Sequence, residues 1–203
     1  MKILVACEFS GIVREAFAKL GHDAWSCDLL PSEIPGQHIQ GDVLSIIDDG
    51  WDMMIAHPPC TYLCGSGLHW NNRGRGWEQT EKAIEFVKQL MNAPIERIAV
   101  ENPIGIISSR IRKADQYIQP YEYGHDASKK TGLWLKGLPK LTNKPSDYIQ
   151  PRMIDGKPRW GNQTDSGQNK LAPSKDRWAQ RSKTYQGIAD AMANQWGFLE
   201  TTI

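Results

Sequence analysis

The 203-residue chain has no run of about 18 apolar residues, the length a helix needs to cross a bilayer, so it offers no helical membrane span. Cysteine is scarce, at four residues: Cys7, Cys27, Cys60 and Cys64. That is too few, in a chain of this length, for the disulfide framework of a small secreted domain, and a reducing, cytoplasmic setting is expected. The opening MKILVACEFSG lacks the longer apolar stretch and small-residue cleavage site of a secretory signal, and reads as a first strand. No internal repeat or low-complexity tract occurs. The length suits one domain with an ample core.

Net charge is also small, +1 overall, but unevenly spread. Residues 1–100 carry 8 Lys+Arg against 13 Asp+Glu, a net −5, and residues 101–203 carry 16 against 10, a net +6. The acidic half suits a cofactor domain, and the basic half could face a polyanion.

What is present centres on Trp51 to Gly67, WDMMIAHPPCTYLCGSG. Asp52 to Ala56 is an apolar run of strand length. Pro58 and Pro59 stop it, because two prolines neither continue a central strand nor enter a helix interior. Cys60 is then held on a stiff turn at a strand's end, where open α/β sheets build their ligand sites and where a thiol can act as a nucleophile.

Upstream, Lys2 to Ala6 reads as a buried parallel strand. The turn CEFSG follows, then a helix with Val13, Ala16, Phe17 and Leu20 on one face, Ser10 as its N-cap and Gly21 beyond its end. His22 to Cys27 is a second strand with Asp28 just past its tip, a βαβ layout that nucleoside sites use, the acid accepting from ribose hydroxyls. Only Gly11 stands where a dinucleotide turn has three glycines, so adenosine without a pyrophosphate is the easier ligand. Ile39 to Val43 is a third strand or turn with Asp42 near its end. Residues 61–76, rich in glycine and asparagine, read as a mobile lid. A helix follows over Glu78 to Asn92, then a strand over Arg97 to Val100, and a short helix over Ile104 to Arg112. Glu101 sits at that strand's tip as Cys60 does at its own, so neighbouring strands would face thiol and carboxylate into one cleft. Gly132 to Lys136 is a later strand. Residues 140–175 form a long polar loop with basic side chains and Trp160, and Tyr185 to Trp196 an apolar-faced helix closed by Gly197.

Taken in order, CEFSG, Asp28, Asp42, HPPC, ENP, YGHDASKKTGLWL and the last helix resemble the DNA cytosine-C5 methyltransferase family, more closely its small phage and prophage members. The resemblance covers most of the chain, and Pro58–Cys60 and Glu101–Pro103 are its most specific pieces. It implies an α/β, Rossmann-like S-adenosylmethionine-dependent methyltransferase fold, mostly parallel with helices on both faces. It implies Cys60 as the nucleophile at cytosine C6 and Glu101 as the acid at N3. Cys7, Glu8, Phe9, Ser10, Gly11, Asp28, Asp42 and Pro58 would meet S-adenosylmethionine, Asp28 at the ribose and Asp42 at the adenine amine. Asn102, Pro103, Lys129, Lys130 and Thr131 would meet the substrate, DNA, duplex or single-stranded. No metal is expected.

The chain departs from the family pattern in its FSG turn, in Thr61 after Cys60, in ENP for ENV, and in Thr131 where the family has a second arginine. Only about 45 residues separate the LWL strand from the final helix, so residues 138–178 read as a reduced recognition region within a single catalytic domain, 1–203. Three other readings stand beside this one. His57, Cys60, Cys64 and His69 have the residue types of a zinc site. HPPC is one step from the motif of exocyclic-amine methyltransferases. A degenerate, non-enzymatic fold could bind nucleic acid through the basic half. Trp70 and Trp160 are candidates for base stacking, His125 for a phosphate contact, and Cys64 for packing or a second thiol.

Overall fold

A computed structural model describes residues 1–199. In chain order its elements are β1 (Lys2–Ala6), α1 (Ile12–Ala18), β2 (Asp23–Asp28), β3 (His38–Gln40), β4 (Met53–Ala56), α2 (Gly65–Leu68), α3 (Glu78–Met91), β5 (Arg97–Pro103), α4 (Ile107–Arg110), β6 (Gln116–Ile118), β7 (Thr131–Lys136), β8 (Arg152–Ile154), β9 (Lys157–Arg159), α5 (Arg177–Ser182) and α6 (Gln186–Trp196). Seven strands form one sheet in the order β3-β2-β1-β4-β5-β7-β6. The first five run parallel, and β7 is antiparallel to both β5 and β6. This is the Rossmann-like, mostly parallel α/β architecture expected.

Side-chain alternation in β1 shows why the sheet is sandwiched. Ile3 and Val5 pack with Val13 and Phe17 of α1 and Met192 and Trp196 of α6, while Leu4 and Ala6 pack on the opposite face with Val87 and Leu90 of α3. A strand covered on both faces needs a continuous apolar run, which KILVA and MMIA supply. Each fully buried Ile, Leu, Val or Met contributes about 1.5–3 kcal/mol. Among the described residues no helix is long and apolar enough to cross a membrane.

The differences from expectation have local causes. Gly11, not Ser10, is the N-cap of α1, in a left-handed conformation with φ 73°. A side chain there would bring Cβ within 2.6 Å of Ile34 Cγ1. The third strand ends at Gln40, because Asp42 caps a 3-10 turn over residues 43–45 by accepting from Leu44 N at 3.0 Å. The expected helix over Ile104 to Arg112 shrinks to the single turn α4. Residues 61–76 fold into short helical turns rather than a loose loop. Arg75 staples them to Gly67 O and Asn71 Oδ1, and the buried Asn71 reaches Thr80 Oγ1 at 2.8 Å. The polar stretch after residue 140 contains a hairpin, β8–β9, turned at Asp155 and Gly156, both with positive φ. Trp160 is buried under it, stacked on Tyr121 at 4.1 Å and donating to Ile149 O. That position removes Trp160 as a base-stacking surface.

Candidate active site

The chain runs outward from β1 to β3, then returns to start again at β4, so the sheet reverses between β1 and β4. Ligand crevices form outside the carboxyl ends of strands at such a point. A cleft of about 1350 Å³ opens there. Four neighbouring strand ends supply its floor in register: Ala6 pairs with Ala56, Ala56 with Val100, and Pro103 with Thr131. The residues just beyond, Cys7, His57 and Glu101, therefore arrive side by side.

One end of the cleft has the character of a nucleoside site. Cys7, Phe9, Asp28, Leu29 and Leu30 line it. Glu8 turns inward instead, its carboxylate accepting from Val13 N at 2.7 Å and Arg14 N at 3.2 Å. A carboxylate thus already occupies the helix N-terminus where dinucleotide folds seat a pyrophosphate. Cys7 is held in a left-handed conformation, φ 58°, and burial pushes its thiol well up, so it is a neutral wall. Asp28 accepts from Leu30 N at 2.9 Å and faces the cleft. Asp42, engaged in its turn, is outside the lining. Residues 178–185 close the end from above. Trp178 lies 5.9 Å from the Phe9 ring, and Lys183 pairs with Glu33 at 2.6 Å. This end thus offers aromatic faces and the Asp28 carboxylate, and its helix N-terminus is already taken by Glu8.

The element that shapes this end is Arg14, which the sequence reading missed. It is fully buried in α1 and reaches Ser26 Oγ, Ser32 Oγ, Ile34 O and Pro35 O, lacing the loop after Asp28 to the sheet.

At the other end the two motifs are joined pairwise. His57 Nδ1 lies 2.9 Å from Glu101 Oε2 with both side chains largely buried, and Asn102 Nδ2 donates to Pro58 O at 2.7 Å. HPPC and ENP are therefore one unit across β4 and β5. His57 lines the cleft, and its buried Nε2 has no hydrogen-bond partner. Glu101 carries a carboxyl below the ordinary range. Burial acts to raise it, but the His57 hydrogen bond, the Lys129 charge and the Thr131 hydroxyl outweigh burial. The acid implied at N3 therefore rests as a carboxylate, kept ionised by its donors.

Cys60, Pro103, Lys129 and Lys130 line the cleft, with Trp70, 52% exposed, at its rim. Lys130 also sits 5.0 Å over the Tyr117 ring. Asn102 and Thr131 are buried, so they hold the strand ends rather than reach into the space. His125 links segments, accepting from Gly187 N at 2.8 Å. Among the described residues no three His, Cys, Asp or Glu side chains converge as a metal site. His57 turns to Glu101 and His69 lies against Trp70. Asn162, Gln163, Gly167, Asn169, Lys170 and Leu171, which follow the β8–β9 hairpin, also line the cleft.

No family model matches the chain, and no curated protein matches it. Among solved structures it is similar to a prophage-encoded E. coli protein described as a candidate DNA modification methyltransferase. The identity is 18%, the TM-score 0.47, and the match covers 75% of this chain. The chain spans about half of that structure's length, 51%.

Proposed function

We propose that the protein transfers a methyl group from S-adenosylmethionine to C5 of cytosine in DNA. The observation that carries this reading is the junction of HPPC with ENP. A thiol on the turn after β4 and an ionised, hydrogen-bonded carboxylate near the end of β5 stand at the opposite end of the cleft from the nucleoside-shaped one.

Bound at that end, S-adenosylmethionine supplies an electrophilic methyl group. Asp28 holds the ribose hydroxyls, Phe9 and Trp178 flank the site, and residues 178–185 exclude water. Cys60 adds to C6 of a cytosine taken out of its stack. Glu101, ionised, accepts from the exocyclic amine and from a proton that N3 takes up from water and returns to water as the adduct collapses. It thereby favours the protonated ring and makes C6 more electrophilic. His57 fixes the orientation of Glu101 through Nδ1. Lys129 stabilises the thiolate and the carboxylate together and can meet a phosphate. Residues 138–178, with the β8–β9 hairpin, serve as the reduced recognition region, and Lys170 at the cleft gives it positive charge. The exocyclic-amine alternative is weakened because His57 Nδ1 is engaged by Glu101, Cys60 offers no ring to stack on a base, and Glu101 would have no role.

The test is incubation with tritiated-methyl S-adenosylmethionine and cytosine-containing duplex, single strands or free deoxycytidine nucleotides, with products digested to nucleosides. Label is expected in 5-methylcytosine, and Cys60→Ala is expected to lose it while still binding cofactor. Label in N4-methylcytosine would overturn the reading. So would label that survives Cys60→Ala.

A further inference from the structure

Six of the eight tryptophans are anchored through the indole N–H. Trp25 and Trp77 donate to side-chain oxygens, and Trp51, Trp134, Trp160 and Trp196 donate to backbone carbonyls. Trp70 and Trp178 donate to no group among the described residues. These two are also the most exposed of the eight, at 52% and 58%, and both line the cleft. An indole that the fold neither buries nor bonds is free to meet a ligand. Trp178 stands against Phe9 at the cofactor end. Trp70 belongs instead to the turns that follow Cys60.

The backbone of Trp70 is pinned although its side chain is bare. Its N–H donates to Gly67 O at 3.2 Å, and its carbonyl accepts from Arg73 N at 3.0 Å and Arg75 N at 3.3 Å. Its ring lies against His69 with centroids 4.6 Å apart. Ile104, just past β5, is presented in the same manner. It is 50% exposed, lines the cleft, and its carbonyl accepts from Gly65 N at 3.4 Å. The next residue, Gly105, pairs with Cys64, and a Cβ there would fall 1.9 Å from Leu63 O. Rigid backbone thus offers two large apolar surfaces to the cleft, one from the Cys60 turns and one from the strand of Glu101. The charge around them has one sign. Lys129, Lys130, Lys170 and Arg181 line the cleft and join no ion pair among the described residues, and Asp28 is the only carboxylate in the lining. In a chain of net charge +1 this is a local concentration.

We infer that the cleft holds its acceptor as a single strand of DNA, with a base beside the target cytosine stacked on Trp70 and the phosphates along the lysines. The inference rests on the methyl-transfer reading for its chemistry but not for its binding. A base offers its face to a side chain only where it is unstacked, and a positive groove with bare aromatics is how single strands are held. A duplex asks for more, because its target must be unpaired and extruded and the complementary strand held elsewhere. The region that would hold that strand is used inside the domain. The β8–β9 hairpin covers Trp160, which stacks on Tyr121, and the residues after it line the cleft itself. The cleft, about 1350 Å³, exceeds the roughly 300–1000 Å³ of a single small-ligand site, so it has room for cofactor and strand together.

The first arm of the test needs no cofactor. A fluorescent oligodeoxynucleotide of about a dozen nucleotides is titrated as single strand and as duplex, and binding is read by anisotropy. The single strand is expected to bind about tenfold tighter or more, and Trp70→Ala to lose about tenfold of that affinity, with Trp70→Phe retaining most of it. Lys170→Ala should lower the slope of log affinity against log salt by about 0.7. Circular dichroism and S-adenosylmethionine binding check that each variant is folded. Equal or tighter binding of the duplex overturns the inference, and so does single-strand affinity unchanged in folded Trp70→Ala.

The second arm compares methyl transfer to the same sequence in both forms. The single strand is expected to be the better substrate by about tenfold or more in kcat/KM, since no base must be unpaired. Trp70→Ala should raise KM for the strand more than it lowers kcat, as the loss of a binding contact does. Label entering the duplex as readily as the single strand overturns the inference and leaves the methyl-transfer reading intact. Trp70-dependent binding of the single strand with no label on any DNA does the reverse, removing the methyl-transfer reading and leaving the single-strand site.

Discussion

His57 Nδ1 and Glu101 Oε2 lie 2.9 Å apart across the carboxyl ends of β4 and β5, and of the two residues only His57 lines the cleft. Glu101 is therefore held just behind the lining, with its orientation set by His57. Hydrogen bonds to a charged group contribute about 1.5–3 kcal/mol, so His57→Ala is expected to slow methyl transfer about tenfold or more. The loss should be larger than any change in cofactor affinity. With the donor gone, burial is less opposed and the Glu101 carboxyl rises. The acidic limb of the transfer rate should then move to higher pH, which a pH–rate profile reads directly. An unshifted limb would show that His57 does not govern Glu101.

The same carboxylate has a signature in stability. Its folded value lies below the ordinary 4.5. A carboxyl depressed in the folded state contributes stability that is complete above its unfolded value and is lost as pH falls through the folded one. Urea titrations from neutral pH to below 4.5 should show wild type losing more stability than Glu101→Gln. Parallel losses would mean that the carboxylate is not stabilised by the fold.

The strands that carry this site were legible from sequence and the pairing was not. β1 and β4 are covered on both faces, so they announce themselves as unbroken apolar runs. α6 keeps Ile188, Ala189, Met192, Ala193 and Trp196 on one buried stripe. By contrast His57 and Glu101 are 44 residues apart, and only the register of β4 on β5 joins them. β6 has three residues and depends on Gln116 bonding both N and O of Leu141, a long-range pairing with no periodic trace. Arg14 sits within IVREAFA, where a charged residue reads as solvent-facing. Its burial is intelligible only once Ser26, Ser32 and the Ile34 and Pro35 carbonyls surround it.

Asp28 and Asp42 carry the same side chain and should behave differently. Asp28 faces the cleft, so Asp28→Ala is expected to weaken S-adenosylmethionine binding about tenfold or more, by loss of hydrogen bonds to the ribose, besides the cost of losing its own bond from Leu30 N. Asp42 accepts from Leu44 N at the start of its turn. Asp42→Ala should therefore act mainly on the fold, by about 1 kcal/mol for a lost cap. Calorimetric titration and thermal melts on both variants separate the two roles. Equal losses of affinity would return Asp42 to the cofactor site.

Arg14 offers a test of how the nucleoside end is held. Removing its guanidinium leaves Ser26 buried without that donor and releases the carbonyls of Ile34 and Pro35. Breaking a buried charged network costs about 3–5 kcal/mol, so Arg14→Met is expected to lower the unfolding free energy on that scale. The consequence should not be uniform. Residues 29–37 depend on Arg14 directly, whereas Cys60, His57 and Glu101 are tied to one another across β4 and β5. Hydrogen exchange should then rise first in residues 29–37, and cofactor affinity should fall before iodoacetamide reactivity at Cys60 and Cys64 changes. Simultaneous loosening of both ends would mean that Arg14 supports the whole sheet rather than the loop that presents Asp28.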